Sequence, residues 1–280
     1  MQTGRPSATA MAVAHSRAYH QLADEPRVFT DPFAVRILGE SVLAETEFDH
    51  GLDPDLVRQR RLFINARSRF ADDTVAAAIS RGTDQVVILG AGLDTTAYRH
   101  GSAKARIFEV DHPATQEWKR RRLSGARMAI PNSLTFVPVD FENTTLAAGL
   151  ARAGLDSNRS AVYVWLGVAV YLTRASVDET LRYIASHAKS EVVFDYFYPV
   201  AASPDDLTAA QVQARADRVA AAGEPWLTFF TAEEIRDILQ DFGYSHVDDR
   251  SAIELLTSYG VPVGSRVTDS GPHLVYACTA

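Results

Sequence analysis

The stretch that decides the fold is residues 86–99, VVILGAGLDTTAYR. Val86, Val87, Ile88 and Leu89 form a short run without a charge. Such a run reads as a strand covered on both faces, as in a parallel sheet. Gly90 and Gly92 follow one residue apart, then Asp94, Thr95 and Thr96. A strand, a glycine turn and a helix make the first βαβ unit of a Rossmann-like sheet, because glycine permits a tight turn and lets a ligand approach the backbone. The full dinucleotide fingerprint needs a third glycine at position 95, and this chain has Thr95 there.

Outward from this turn, strand and helix signals alternate. ARIFEVD (105–111), SLTFVPVD (133–140), a strand within AVYVWLGVAVYL (161–172), SEVVFDYFY (190–198) and HLVYACTA (273–280) read as further strands. Capping boxes are expected at Ser176/Glu179 and Thr231/Glu234; the second helix carries Ile235, Ile238, Leu239 and Phe242 on one face and stops at Gly243. Residues from about 7 to 80 read as helical. Asp53 is placed to cap a long helix with Pro54 in its first turn, and Gly82 to end it. The expected fold is α/β, a mainly parallel sheet with helices on both faces. It forms one domain over 1–280, with a helical extension at 1–82, a core at 83–280 and a polar, alanine-rich insertion at about 200–228. That insertion reads equally as a surface connection or as a lid beside the strand ends.

The strand ends carry acids. Asp111 lies about twenty residues past Gly90, where a carboxylate accepts from both ribose hydroxyls of a bound nucleoside. This serves the ribose of NAD and that of S-adenosylmethionine (SAM) equally. Asp140 ends the third strand, placed for an adenine amino group with Phe141 beside it. His112 follows Asp111 and is expected to pack around the adenosine. The charge of Asp94 suits a ligand with a cationic or amino group and no phosphate, which favours SAM over a dinucleotide.

Composition narrows the class. The 280 residues are 46% hydrophobic, enough for a large core, and the net charge of -7 argues against nucleic acid as partner. The basic run KRRRL (119–123) reads as a solvated helix face. One cysteine, Cys278, excludes an internal disulfide and fits a reducing cytosol. No signal-peptide pattern and no apolar stretch of roughly 18 to 20 residues occurs, so a cytoplasmic protein without a membrane partner is expected. The eight histidines show no paired metal-ligand spacing, and no G-x-S-x-G elbow is present.

VVILGAGLDTTAYR, FEVDHPATQEWKRRRL, FVPVDFE and VWLGVAVYL, in this order and spacing, resemble the leucine carboxyl methyltransferase family of class I SAM-dependent methyltransferases. The nearest resemblance is to an actinobacterial branch that includes polyketide carboxyl O-methyltransferases. TAMAVAHSRAYH, TDPFAVRIL, INARSRFADD and GEPWLTFFTAEEIRDILQDFGY extend it over nearly the whole chain. The resemblance implies a seven-stranded sheet. It implies that Arg67 meets the SAM carboxylate, that Gly90, Ala91 and Gly92 line the methionine part, that Asp111 takes the ribose, and that Asp140 with Phe141 takes the adenine. One position departs: many members have a glutamate near the SAM amino group where this chain has Leu166, followed by Gly167.

The expected activity is SAM-dependent O-methylation of a small-molecule acceptor, at a carboxylate or hydroxyl, with a natural-product intermediate as one candidate. A carboxylate is ionised at neutral pH and needs no base; a hydroxyl benefits from one. His112, Asp195, Tyr196 and Tyr198 stand near strand ends, with Tyr171 as a further aromatic, and none is singled out as catalytic. The alternatives are a SAM-binding protein without methyl transfer and an NAD-dependent oxidoreductase. Oligomeric state is not readable from the sequence.

Overall fold

Seven strands, β1 (Gln85–Leu89), β2 (Arg106–Asp111), β3 (Leu134–Pro138), β4 (Ala161–Trp165), β5 (Ser190–Phe197), β6 (His246–Ser251) and β7 (Pro272–Cys278), form one sheet in the order β3-β2-β1-β4-β5-β7-β6. The pairings are parallel except those of β7, which runs antiparallel to β5 and β6. The computed structural model describes residues 7–39, 42, 48–101, 104–140, 144–199, 207–264 and 271–280.

Ten helices surround the sheet among the described residues: α1 (Ala8–Ala23), α2 (Pro32–Leu38), α3 (Pro54–Ser80), α4 (Thr96–Arg99), α5 (Pro113–Gly125), α6 (Leu146–Arg152), α7 (Arg174–Ala185), α8 (Leu207–Ala221), α9 (Ala232–Asp241) and α10 (Ala252–Ser258). Side chains alternate across each strand, so successive residues feed different cores. Val87, Phe108, Tyr163 and Phe194 pack with Val177 and Leu181 of α7 and Ile235 and Leu239 of α9. Val86, Ile88, Ile107 and Val162 pack with Leu62 and Val75 of α3 and Leu255 of α10. A third cluster joins Ala14, Ala18 and Ile37 of α1 and α2 to Leu93 and Leu123. The extension therefore packs onto the glycine turn itself.

Local chemistry sets the boundaries. Asp53 accepts from the Asp55 and Leu56 N–H groups with Pro54 in the first turn, and Gly82 takes φ +100° just past the helix end. Thr231 and Glu234 make the expected reciprocal capping box. Three readings need correction. Strand β6, HVDDRS, has no apolar run because it is the sheet's edge and its residues are mostly half-exposed. Helix α7 starts earlier than the Ser176 box: Thr173 is its cap, accepting from the Ser176 N–H. In KRRRL, Arg120 and Arg121 are exposed, but Lys119 is 1% exposed and bonds Glu109 at 2.6 Å. No described helix is long and apolar enough to cross a membrane.

Candidate functional site

The strand order reverses between the parallel neighbours β1 and β4, and a cavity of about 1230 Å³ opens at this switch point. Arg67, Gly90, Ala91, Gly92, Asp111, His112, Asp140 and Leu166 all line it, so the fold gathers every one of these sequence-selected residues. Phe141 lies outside the described residues.

The glycines are there because nothing else fits. Gly90 has φ +62°, and a Cβ on it would stand 2.4 Å from the Val168 Cγ2. Gly92 has φ +46°, with Ala10 of α1 3.0 Å from where its Cβ would be. Backbone is thus open to a ligand on one side and packed on the other. Asp111 holds the turn: its carboxylate accepts the Gly92 N–H at 2.6 Å and the His112 N–H at 2.7 Å. Burial raises its carboxyl above the usual range, opposed by those two N–H donors. Each carboxylate oxygen keeps a lone pair for a ligand hydroxyl. His112 caps α5, its Nδ1 accepting the Ala114 N–H at 3.2 Å.

Thr95 explains the missing third glycine. It is fully buried, and its hydroxyl donates to Asp31 Oδ2 at 2.6 Å while accepting from Arg99 Nη1 at 2.6 Å. Asp31 caps α2, so the turn is tied to the N-terminal extension. The helix after the turn, α4, has only four residues. A dinucleotide site needs free turn N–H groups and a helix N-terminus for the pyrophosphate. Here Asp111 takes the Gly92 N–H, and the helix is a single turn.

Asp94 also lines the cavity but has protein partners. Arg17 of α1 reaches its Oδ2 at 3.3 Å and donates to the Leu93 carbonyl at 2.6 Å. Burial would raise the Asp94 carboxyl; Arg17, Arg99 and Lys119 outweigh it and hold it below the usual range. Arg17 escaped the sequence reading. Its signal was its position, an arginine on the same small-residue helix face as Ala10 and Ala14, all three lining the cavity.

Arg67 points from α3 to the β4–β5 edge. One guanidinium nitrogen bonds Asp195, whose other oxygen accepts the Gly167 N–H at 2.5 Å. Its buried Nε has no acceptor among the described residues. Gly167, at φ +71°, passes so close that a Cβ would meet Arg67 Nη2 at 2.9 Å. The carboxylate beside the Leu166–Gly167 turn therefore comes from β5. A guanidinium with unused donors, a glycine cradle and an acid on the second strand suit an amino-acid carboxylate linked to a nucleoside. By that test the residues fit SAM.

Of the candidate bases, Asp195 is held by Arg67, and Tyr196 is buried and donates to Asp249 at 2.8 Å. Tyr171 and Tyr183 line the cavity; burial raises both, Tyr183 to about 12. The insertion borders the cavity through Val212 and Arg215 of α8 and through residues 223–227.

A family model, "Leucine carboxyl methyltransferase", matches residues 10–185. "Putative S-adenosyl-L-methionine-dependent methyltransferase YktD" of Bacillus subtilis is 31% identical, covering 92% of this chain and 93% of its own. A "Putative S-adenosyl-L-methionine-dependent methyltransferase" of Mycolicibacterium vanbaalenii is 30% identical over 95% of this chain and 90% of its own. Among solved structures, a methyltransferase-like protein from Thermobifida fusca superposes with TM-score 0.60 at 17% identity, over 99% of this chain and 96% of that one. This last likeness concerns the fold.

Proposed function

Because the chain belongs to the leucine carboxyl methyltransferase family and is a SAM-dependent methyltransferase, we propose that it methylates an oxygen of a small-molecule acceptor, with a carboxylate favoured over a hydroxyl. The observation that carries this is the cavity. At about 1230 Å³ it exceeds the roughly 300–1,000 Å³ typical of single-ligand pockets, so it has room for donor and acceptor together.

In this reading Arg67 holds the SAM carboxylate. Gly90, Ala91, Gly92 and Leu166 border the methionine part, Asp111 and His112 the ribose side, and Asp140 with Phe141 the adenine. Bound SAM supplies a methyl group on a positively charged sulfur, a good leaving group. The chain's work is then to fix both partners at attack distance and to exclude water. Helix α1 does the excluding. Glu224 accepts from the Thr9 hydroxyl and from the Ala8 and Thr9 N–H groups, fastening the helix to the insertion along the cavity wall. Among the described residues lining the cavity, the tyrosines are pushed up by burial and away from base duty. That favours an acceptor already ionised in water.

The test is incubation with methyl-labelled SAM and separate panels of carboxylic acids and phenols. An ester product releases labelled methanol in mild alkali; an ether does not. Alkali-labile label supports the reading. Alkali-stable label moves the activity to hydroxyl acceptors. SAM binding without incorporation from either panel would favour a binding protein that transfers nothing.

A further inference from the structure

Arg60 and Arg215 were not selected by the sequence, and the cofactor reading does not use them. Both line the cavity. They share one carboxylate among the described residues: Arg60 Nη2 and Arg215 Nη1 each reach Asp49, at 2.5 Å, on opposite oxygens. Both arginines line the cavity, and Asp49 is not among its lining residues. Among the described residues these two cations pair with one carboxylate, and Glu224 is the acid that lines the cavity nearest to them, beside Tyr171. Burial, and then the charge of Arg215, push Arg60 down to about 9, so it is still protonated at neutral pH while under repulsion from its neighbour. Burial likewise lowers Arg215. An anion from outside would relieve both.

The place is distinct from the cofactor's. Arg60 precedes Arg67 by seven residues, two turns of α3 on the same face, a rise of about 10 Å. Arg67 meets β5 through Asp195, whereas Arg60 meets α8 through Asp49 and Arg215. Around the arginines stand Tyr171, Val212 and Trp226, which offer aromatic and aliphatic surface. We propose that Arg60 and Arg215 form an anion subsite for the acceptor. It holds an acidic group, remote from the oxygen that is methylated, on an otherwise apolar molecule. The acceptor class is therefore an amphipathic acid that also carries a second oxygen function. This rests on the methyltransferase reading, and it adds a specificity element to the same cavity.

The test uses 6-phenylhexanoate and its uncharged amide, 6-phenylhexanamide, titrated calorimetrically into the protein with and without S-adenosylhomocysteine. The subsite predicts that the carboxylate binds at least tenfold more tightly than the amide. It predicts that Arg215→Leu removes that preference. Asp49→Asn bares both cations and should strengthen carboxylate binding; a purely structural ion-pair cluster would instead weaken on losing its centre. Equal affinity of the wild-type protein for acid and amide overturns the subsite whatever the variants do. So does Arg215→Leu that melts like wild type and keeps the preference. Binding of S-adenosylhomocysteine is read in the same titrations. If it fails, the methyltransferase reading fails, and the acid–amide comparison still decides the subsite.

Discussion

Asp111→Asn tests the site at its most constrained point. The carboxylate accepts two backbone N–H groups, from Gly92 at 2.6 Å and His112 at 2.7 Å, and the residue is largely buried. An asparagine amide at the same place offers one oxygen and one NH₂. Whichever way it turns, one backbone N–H loses its acceptor and faces a donor. An unpaired buried donor costs about 1–3 kcal/mol. In a chain of this size that lowers the melting temperature by a few degrees. Ligand binding suffers separately. If the acid also holds the ribose, a charged acceptor for two hydroxyls becomes a neutral one, and hydrogen bonds to charged groups contribute about 1.5–3 kcal/mol. The expected result is S-adenosylhomocysteine binding weaker by roughly tenfold to 150-fold in calorimetry, with unchanged circular dichroism. Wild-type affinity in a variant whose melting point has fallen would show that Asp111 only holds the turn, and would refute the ribose assignment. Wild-type values for both would refute the geometry as well.

Other outcomes follow from the same structure. Gly90→Ala forces a left-handed φ on alanine and a 2.4 Å clash with Val168; it should destabilise by about 2 kcal/mol or more and reduce S-adenosylhomocysteine affinity, measured by melting and titration. Thr95→Gly restores the dinucleotide glycine but breaks the bonds to Asp31 and Arg99; calorimetry should detect no NAD binding, and stability should fall by about 1–2 kcal/mol. Burial raises Glu109 to about 7 despite Lys119. The folded chain then keeps a proton there that the unfolded chain releases near its ordinary value, so stability falls as pH rises from about 4.5 to 7, and Glu109→Gln should flatten that slope in denaturant titrations.

Most of the sheet was legible because buried parallel strands are apolar over most of their length, as VVIL and AVYVW are and as RIFEV is apart from Arg106 and Glu109. Strand β6 was not, because an edge strand in contact with solvent has no apolar signature to read. The wall proposed for the cofactor was legible for a related reason. Glycines at positive φ and acids at strand ends are local requirements, written at fixed distances from β1. The wall proposed for the acceptor is assembled from α1, α3 and α8, which are more than a hundred residues apart in sequence between α3 and α8. Arg60 and Arg215 acquire meaning only through Asp49, and no local pattern announces that three-way meeting. The same holds for Arg67 and Asp195, whose pairing spans 128 positions.

Thr95 shows how a departure from a motif becomes informative once its partners are known. Read alone, it is a missing glycine. In the fold, it is the donor that joins the turn to Asp31, while Arg17 bridges Asp31 and Asp94 at 4.0 and 3.3 Å and Arg99 bridges Asp31 and Asp72 at 3.2 and 2.8 Å. Two arginines and three acids thus stitch the helical extension to the loop that carries Gly90 and Gly92. A dinucleotide turn leaves this space open because phosphates need its N–H groups and the helix behind them. This turn fills the space with protein. A ligand that leaves the turn's N–H groups to Asp111 and offers its own carboxylate to Arg67 is what such a turn can still accept. Methyl transfer also benefits, since a turn clamped by the extension positions its ligand without a closing motion at that end of the cavity. Opening for exchange is then left to the N-terminus of α1, where Glu224 fastens Ala8 and Thr9 beside the Ala10 that packs on Gly92. Glu224→Ala should accordingly speed S-adenosylhomocysteine dissociation in stopped-flow measurements by several-fold, because it frees the helix N-terminus and loosens the Ala10 packing on Gly92. An unchanged dissociation rate would mean that the ligand leaves by another route and that α1 is a fixed wall.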